Sequence, residues 1–282
     1  MSIALRPLHG EFGAEVTGVD AAAPLDAATA VALRAAFARH RLLVLRGQHL
    51  PPAAHIAFSR HFGELEVHVL DEYHKAEYPE IFELSNLGPD GRPNAVHPDR
   101  GTLFWHSDAS WQAAPALATL LYAEAVPRAG GHTLFADMIG AYEALGAAER
   151  ARYATLRVVH DLHVSRLKAG YPGMTAAQRQ ARPPVEQPLV RMHVPSGRRA
   201  LYLGSHGQAV LGLAELEGRG LIERIMCHAT EPRFVHEHAW RPGDLVLWDN
   251  TATMHRATEY DTAVEPRVVR RTVIRGAPVV PG

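Results

Sequence analysis

An acidic residue follows a histidine by two positions at three places in the sequence: His9/Glu11, His97/Asp99 and His106/Asp108. On a β-strand, residues i and i+2 point to the same face, so each pair would aim an imidazole and a carboxylate at one point. The first pair encloses a glycine, and the second encloses a proline, which favours a turn. The third directly follows the β-prone run 102–105. We therefore expect His106 and Asp108 to be metal ligands, the alternative being a surface turn with a solvated aspartate.

A third imidazole and two further cations lie near the end of the chain. Alternation places His255 on a strand that follows the turn at 249–250. On the next predicted strand, Arg267 and Arg271 are four residues apart and share a face, whereas Arg270 points the other way. Arginines on an apolar strand need an anionic partner if they face inward. The alternatives are an exposed arginine face and a histidine without a ligand role.

Two imidazoles and one carboxylate on one side of a metal form the facial triad of non-haem Fe(II) oxygenases. The open coordination positions would take a 2-oxoacid through two atoms and O₂ through a third. The distal carboxylate of the 2-oxoacid then needs a fixed cation, and Arg267 suits this role because a guanidinium donates two parallel hydrogen bonds. Two other classes remain open: a zinc hydrolase with water in the fourth position, and a jelly roll that binds a ligand without turnover.

The elements that must position these residues are mainly short strands. Strands are predicted at 41–46, 81–85, 102–105, 118–123, 201–203, 234–240, 245–248, up to His255, and at 267–275. Helices are predicted after the N-cap residue Asp26 and at 52–62, 141–153 and 214–229. Many short strands with Gly/Pro turns indicate a sandwich or jelly roll, mainly β, with helices packed outside.

The composition indicates one globular domain. The 282 residues show no composition break, so we expect a single domain over 1–282, in which the polar segment 160–200 is a lid or insert. A net charge of −1 argues against a nucleic-acid partner. No apolar run reaches the length of a membrane span and no secretory signal is seen at 1–7, so no membrane partner is expected. A single cysteine excludes a disulfide scaffold and fits a reducing compartment, so a cytoplasmic location is expected.

Four short motifs occur along the chain: Trp105-His106-Ser107-Asp108, Gly130-Gly131-His132-Thr133, Trp248-Asp249-Asn250 with His255, and Arg267-x3-Arg271. In this order and spacing, the chain resembles the 2-oxoglutarate-dependent taurine/2,4-dichlorophenoxyacetate dioxygenase family. The resemblance begins at 13–20, passes through 46–48 and 62–64, and ends at Thr272. It therefore covers nearly the whole chain.

The resemblance implies a double-stranded β-helix, a jelly-roll variant that agrees with the strand-and-turn pattern. It implies that His106, Asp108 and His255 bind iron. It also implies that Thr133 and Arg267 hold the distal carboxylate of 2-oxoglutarate. The implied cofactors are Fe(II), 2-oxoglutarate as cosubstrate, and O₂. Members of the family often form dimers or tetramers, so a homo-oligomer is expected by analogy.

The resemblance also bears on the substrate. The stretches 188–198 and 202–206 are more similar to the aryloxyalkanoate branch than to taurine enzymes. Arg271 matches the arginine that meets the acidic group of the substrate. His68 matches a histidine that contacts sulfonate in the taurine branch, a surface histidine being the alternative, but Asp71 replaces the tyrosine of that branch and would repel taurine. We therefore expect a small carboxylate of the aryloxyacetate type, with a taurine-like sulfonate as the alternative.

The implied reaction is hydroxylation of an aliphatic C–H bond, with succinate and CO₂ as coproducts. If the hydroxylated carbon bears an ether oxygen, the hemiacetal collapses to a phenol and an aldehyde or oxoacid. In such an enzyme, the segment 160–200 would be the lid that excludes water from the reacting atoms.

Overall fold

The structure, a computed structural model, describes residues 3–67, 74–75 and 77–282. Its strands are β1 (Ala4–His9), β2 (Phe12–Thr17), β3 (Leu42–Leu45), β4 (His74–Lys75), β5 (Tyr78–Ser85), β6 (Ala118–Ala125), β7 (Thr133–Asp137), β8 (Arg157–His160), β9 (Val185–Pro188), β10 (Val190–His193), β11 (Arg198–Leu201), β12 (Gly207–Val210), β13 (Val235–His238), β14 (Leu245–Asp249), β15 (Thr253–Ala257) and β16 (Val268–Ile274). Its α-helices are α1 (Ala27–His40), α2 (Pro52–Ser59), α3 (Met138–Glu143), α4 (Ala147–Tyr153), α5 (Leu162–Lys168), α6 (Ala176–Ala181) and α7 (Glu215–Ala229). Short 3-10 helices lie at Arg100–Leu103 and Pro232–Phe234.

Half of these strands form one large sheet, in the order β1-β2-β3-β14-β6-β16-β5-β4. Its pairings are antiparallel except for the parallel pair β2 and β3. The strands β13-β7-β15 form a smaller sheet, β12-β8-β9 form another, and β10 and β11 form a hairpin. This architecture agrees with the prediction of a mainly β fold with flanking helices.

The central strands are apolar because both of their faces are covered. All five residues of β14 are buried. One face of the large sheet packs on α1 and α2. On the other face, a cluster that includes Leu121, Phe135, Trp248 and Val269 joins the large sheet to the β13-β7-β15 sheet. We call this the inter-sheet cluster. The helices α3 and α7 pack in another apolar cluster, which includes Ala136 of β7 and Met254 of β15. The helices therefore lie outside the large sheet and the β13-β7-β15 sheet.

Local capping and alternation predicted several of these elements correctly. Asp26 caps α1 by accepting a hydrogen bond from the backbone N–H of Thr29 at 2.7 Å. The predicted strands at 41–46, 118–123, 245–248 and 267–275 are confirmed as β3, β6, β14 and β16 within a few residues. Each of these strands is either central to the large sheet or directly beside its centre, where burial and sequence pattern coincide.

The strand predicted at 102–105 is wrong. The carboxylate of Asp99 accepts from the backbone N–H of Gly101 at 2.9 Å, and its carbonyl accepts from the Thr102 hydroxyl at 2.6 Å. These local hydrogen bonds compete with strand pairing and turn the chain into the 3-10 helix Arg100–Leu103.

Other predicted boundaries also differ from the structure. The helix predicted at 141–153 is two helices, α3 and α4, because Gly146 begins a new helix and bonds the Glu149 carboxylate through its N–H. The helix α2 ends at Ser59, before the predicted end, and β11 ends at Leu201, where a strand was predicted to begin. The segment 160–200 is largely regular, since α5, α6, β9 and β10 lie in it. In the part of the chain that is described, no helix is both long and apolar enough to cross a membrane.

Candidate active site

His106 and His255 lie opposite each other although they are distant in the chain. The backbone N–H of His106 donates to the carbonyl of His255 at 3.0 Å, and the N–H of His255 donates to the carbonyl of His106 at 2.8 Å. Because β15 is the edge strand of its sheet, its backbone is available for this isolated bridge. The two imidazole rings consequently lie side by side, with centroids 4.2 Å apart.

Asp108 reaches the two histidines from a turn and not from a strand, so the same-face strand geometry predicted for His106 and Asp108 is wrong. The next residue, Ala109, has a left-handed φ of 55°, which helps to reverse the chain. The carboxylate of Asp108 lies 3.7 Å from Nε2 of His106 and 3.8 Å from Nε2 of His255. One donor atom from each of the three residues lies within 4.8 Å of the others. The three predicted ligands are thus brought together.

Hydrogen bonds orient two of these three side chains. Nδ1 of His106 lies 2.8 Å from the carbonyl oxygen of Phe104, which can only accept, so Nδ1 carries the proton. The lone pair of Nε2 is therefore free and faces Asp108. Nε2 of His106 lies nearest to Oδ1 of Asp108, and the hydroxyl of Thr119 donates to Oδ2 of the same carboxylate at 2.6 Å. Contacts of this kind fix the tautomer and orientation of metal ligands in proteins.

The ionisation states also suit a metal site. Burial lowers the pKa of His255 to about 3, so its imidazole is neutral near pH 7. Burial alone would raise the pKa of Asp108, but the Arg271 guanidinium and the hydrogen bond from Thr119 hold it below its usual value. A metal ion requires a neutral imidazole and an ionised carboxylate, and both are present. Two imidazole nitrogens and one carboxylate in a buried cluster therefore fit Fe(II).

The variant Thr119→Val is expected to weaken binding of a metal at this cluster about tenfold, because Asp108 loses the hydrogen bond that orients it. Thr272→Val is the matched control. Thr272 is an equally buried threonine on the neighbouring strand, and its hydroxyl bonds Ser59 at 2.7 Å. Equilibrium dialysis with Fe(II) under anaerobic conditions measures the difference. Equal metal affinity in the two variants would contradict the orienting role of Thr119.

Arg271 lies beside the cluster at the wall of a cavity. One guanidinium nitrogen is 3.7 Å from the Asp108 carboxylate, and the guanidinium lies over the ring of Phe82, 4.4 Å from its centroid. The cavity has a volume of about 480 Å³, and His106, Asp108 and Arg271 all line it. A cavity of this size suits a small-molecule ligand. Arg271 therefore places a positive charge next to the candidate metal site.

Arg270 confirms the predicted alternation of β16. It points away from Arg271 and forms an ion pair with Glu124 at 2.6 Å. It also donates to the carbonyl of Leu50 at 2.6 Å. Because Arg270 is buried with these partners, its charge is already satisfied, whereas Arg271 faces the cavity.

Thr133 lies on the face of β7 that carries His255 on the neighbouring strand. In the antiparallel register, His255 pairs with Phe135 and Ala257 pairs with Thr133. Directly opposed residues share a face, and Thr133 and Phe135 are two residues apart, so Thr133 and His255 point to the same side. The indole N–H of Trp240 donates to the Thr133 hydroxyl at 3.0 Å. The hydroxyl proton is then available to an acceptor.

Arg267 reaches the same inter-sheet space from the large sheet. It directly precedes β16 and shares a face with Val269, which packs in the inter-sheet cluster with Phe135. Arg267 is 6% exposed, and its guanidinium has no ion pair with any carboxylate of the described residues. Burial lowers its pKa, and Tyr260 partly offsets this effect. A buried cation without an anion is unfavourable, so Arg267 is suited to an anionic ligand.

Two other sequence predictions concern residues without a described position. His68 and Asp71, which were used to weigh a sulfonate substrate, lie outside the described residues.

The sequence reasoning missed Thr119 and Phe82, whose contacts with Asp108 and Arg271 depend on the packing of β5 and β6. Alternation could have placed Thr119 on a face of β6, but nothing in the sequence indicates that Asp108 meets that face.

The sequence of this chain is similar to known proteins over nearly its whole length. The chain matches the family described as "Taurine catabolism dioxygenase TauD, TfdA family" over residues 4–273. It is 37% identical to the alpha-ketoglutarate-dependent 2,4-dichlorophenoxyacetate dioxygenase of Cupriavidus pinatubonensis, over 99% of this chain and 100% of that protein. It is 36% identical to the (S)-phenoxypropionate/alpha-ketoglutarate-dioxygenase of Sphingobium herbicidovorans, over 97% of this chain and 95% of that protein.

Solved structures are similar over the same length. AAD-2 in complex with Mn(II) and N-oxalylglycine superposes with a TM-score of 0.89 at 36% identity, covering 99% of both chains. A taurine dioxygenase from Burkholderia xenovorans superposes with a TM-score of 0.83 at 32% identity, over 100% of this chain and 92% of that chain. These similarities confirm the predicted jelly-roll fold and the predicted resemblance. The chain belongs to the taurine catabolism dioxygenase TauD, TfdA family.

Proposed function

We propose that this chain, a 2-oxoglutarate-dependent dioxygenase, uses Fe(II), 2-oxoglutarate and O₂ to hydroxylate an aliphatic C–H bond of a small aryloxyalkanoate. The observation that carries the proposal is that His106, Asp108 and His255 converge beside Arg271, and that His106, Asp108 and Arg271 line one cavity. Similarity to 2,4-dichlorophenoxyacetate and (S)-phenoxypropionate dioxygenases supports the substrate class. Substrate, O₂ and 2-oxoglutarate give hydroxylated substrate, succinate and CO₂. Hydroxylation next to the ether oxygen gives a hemiacetal, which collapses to a phenol and a carbonyl compound.

In the proposed enzyme, Fe(II) is held by Nε2 of His106, Nε2 of His255 and a carboxylate oxygen of Asp108. Bound there, Fe(II) supplies activation of O₂ as 2-oxoglutarate loses CO₂. The carbonyl of Phe104 and the hydroxyl of Thr119 keep two of these ligands in place. All three ligands are buried, which limits access of water to the reacting atoms.

Arg267 and Thr133 are proposed to hold the distal carboxylate of 2-oxoglutarate. They approach the inter-sheet space from opposite sheets, and one offers a positive charge while the other offers a hydroxyl proton. A guanidinium grips a carboxylate through two parallel hydrogen bonds. A zinc hydrolase has no use for this second anion site, so the two residues favour an oxygenase.

Arg271 is proposed to anchor the carboxylate of the substrate. Its guanidinium faces the cavity next to Asp108, so an anchored carboxylate holds the adjacent carbon near the metal. The aromatic residues Phe82, Phe104 and Trp111 line the same cavity and can contact an aryl ring. The stretch 202–206, which resembles the aryloxyalkanoate branch, contributes Ser205 and His206 to the cavity wall.

Arg271→Gln is expected to raise KM for phenoxyacetate about 10- to 100-fold, because the substrate carboxylate loses a charged hydrogen-bond partner. KM for 2-oxoglutarate should change less than about threefold, since Arg267 remains. Arg275→Gln is the matched control. Arg275 lies just beyond the end of β16, and its side chain is half-exposed. Steady-state assays of phenol release measure both constants. An unchanged KM for phenoxyacetate in Arg271→Gln would remove Arg271 from this role.

The segment 160–200 is proposed to be the lid over the substrate. Leu162, Ser165 and Arg166 of α5 and Gln178 of α6 line the cavity, which supports this assignment. We also propose the homo-oligomer expected from the family and a cytoplasmic location. These expectations are independent of the metal site.

Anaerobic titration of the apoprotein with Fe(II) and 2-oxoglutarate tests the function directly. A visible charge-transfer band from the Fe(II)–2-oxoglutarate chelate is expected in the wild type and not in His255→Ala. Succinate release is then measured aerobically with phenoxyacetate and with taurine, and turnover of phenoxyacetate is expected. Tight zinc binding without the band would favour the hydrolase, and turnover of uncharged or cationic compounds alone would overturn the substrate class.

A further inference from the structure

The loop 258–266, which joins β15 to β16, places Tyr260 against the chain that leads into Thr133. The backbone N–H of Gly131 donates to the carbonyl of Glu259 at 3.1 Å. A Cβ atom at Gly131 would lie 3.6 Å from Cδ1 of the Tyr260 ring. The tyrosine ring therefore lies next to the backbone two residues before Thr133.

The other end of the loop is held next to Arg267 by Asn86, which is fully buried. The side-chain amide of Asn86 donates to the carbonyls of Thr262 at 3.1 Å and Glu265 at 2.9 Å. Its oxygen accepts from the backbone N–H of Arg267 at 2.7 Å. The loop is therefore fixed between Thr133 and Arg267, the two residues that approach the proposed 2-oxoglutarate carboxylate.

In the part of the chain that is described, Tyr260 and Arg267 both carry buried donor groups without an anionic acceptor. The hydroxyl oxygen of Tyr260 is buried and has no hydrogen-bond partner among the residues that the structure describes. The Arg267 guanidinium is buried and has no carboxylate partner there either. The two groups are close enough to influence each other's ionisation, and burial raises the pKa of Tyr260, so the phenol keeps its proton. His97 packs on the tyrosine, with ring centroids 5.7 Å apart, and helps to enclose this position.

We propose that the hydroxyl of Tyr260 donates a hydrogen bond to the distal carboxylate of 2-oxoglutarate, beside Arg267 and Thr133. This inference rests on the proposed function, in which Arg267 and Thr133 hold that carboxylate. A phenol adds a directional donor without a second charge, so it fixes the orientation of the carboxylate. An acceptor at this position also satisfies a buried hydroxyl that is otherwise unpaired. Tyr260 thus positions the cosubstrate. Its hydroxyl makes the site selective for 2-oxoacids with a second carboxylate.

Calorimetric titration of the Mn(II)-loaded full chain with two 2-oxoacids tests the inference. 2-Oxoglutarate has the distal carboxylate, whereas 2-oxopentanoate shares the metal-chelating end but lacks that carboxylate. Tyr260→Phe is expected to raise Kd for 2-oxoglutarate about tenfold, because a hydrogen bond to a charged group is lost. Kd for 2-oxopentanoate is expected to stay within about twofold, which also shows that the variant site is folded.

Tyr142→Phe is the matched control, because it removes another tyrosine hydroxyl beside an arginine, the acceptor of a 3.4 Å hydrogen bond from Arg199. It is expected to leave both dissociation constants unchanged. Equal weakening of both 2-oxoacids in Tyr260→Phe would indicate a purely structural role and overturn the inference, as would an unchanged Kd for 2-oxoglutarate. If the wild type fails to bind 2-oxoglutarate, the proposed function fails together with the inference.

Discussion

Asp108→Ala is expected to abolish Fe(II) binding and dioxygenase activity together. Asp108 is the anionic member of the cluster and lies within 3.8 Å of Nε2 of both His106 and His255. Two neutral imidazoles alone bind Fe(II) weakly, and loss of a ligand should exceed the 10- to 100-fold effect typical of residues that only orient ligands. We expect Fe(II) affinity and kcat/KM to fall at least about 100-fold. Anaerobic dialysis with Fe(II) and succinate release measure the two quantities.

Two further variants separate loss of the ligand from loss of structure. Asp108→Asn keeps the shape of the side chain and its contact with the Thr119 hydroxyl, but it removes the negative charge, so it should lose metal nearly as completely. Asp99→Ala changes another aspartate on the cavity wall, whose carboxylate bonds Gly101 and Tyr171, and it should retain metal. Full activity in Asp108→Ala would refute the ligand assignment.

Arg267→Met is expected to raise KM for 2-oxoglutarate about 100-fold or more while leaving the free energy of unfolding unchanged or higher. Removing one partner of a buried charge pair costs about 2–5 kcal/mol of binding. In the protein without cosubstrate, however, the Arg267 guanidinium is buried without a carboxylate among the described residues. An apolar side chain of similar length avoids that desolvation cost. Steady-state kinetics measure the expected loss of cosubstrate binding, and thermal unfolding measures the unchanged or higher stability.

Arg41→Met is the control with the opposite pattern. Arg41 is as buried as Arg267, but it forms an ion pair with Asp137 at 3.1 Å. Its replacement leaves Asp137 without its ion-pair partner and should lower the free energy of unfolding by about 3 kcal/mol. KM for 2-oxoglutarate should remain near the wild-type value. A destabilised Arg267→Met with normal KM would show that Arg267 is structural and would contradict its assignment to the cosubstrate.

Features that depend on residues close together in the sequence were predictable from the sequence. The cap at Asp26 and the strands β3, β6, β14 and β16 follow from local patterns. The opposite orientations of Arg270 and Arg271 follow from the two-residue period of a strand. The candidate ligands and the resemblance to the family follow from short motifs in a fixed order. Each of these predictions needs only residue types and their spacing.

The local conformation around the candidate ligands was not predictable in the same way. His106 and Asp108 were expected on one face of a strand, but a 3-10 helix, a bridge to His255 and a turn bring them together. The structure brings the pair together with His255, although the predicted strand geometry was wrong. The reason is that the hydrogen bonds of Asp99 compete with strand formation, and the bridge partner is far along the chain.

The sequence by itself determined the candidate donor set and the opposite faces of Arg270 and Arg271, because both are properties of residue type and local period. Tertiary structure alone decided that Thr119 orients Asp108 and that α5 and α6 wall the cavity. It also decided that the loop carrying Tyr260 runs between Thr133 and Arg267. These contacts join segments that are distant in the chain. They exist because the two sheets bury apolar faces against each other, which no local pattern encodes.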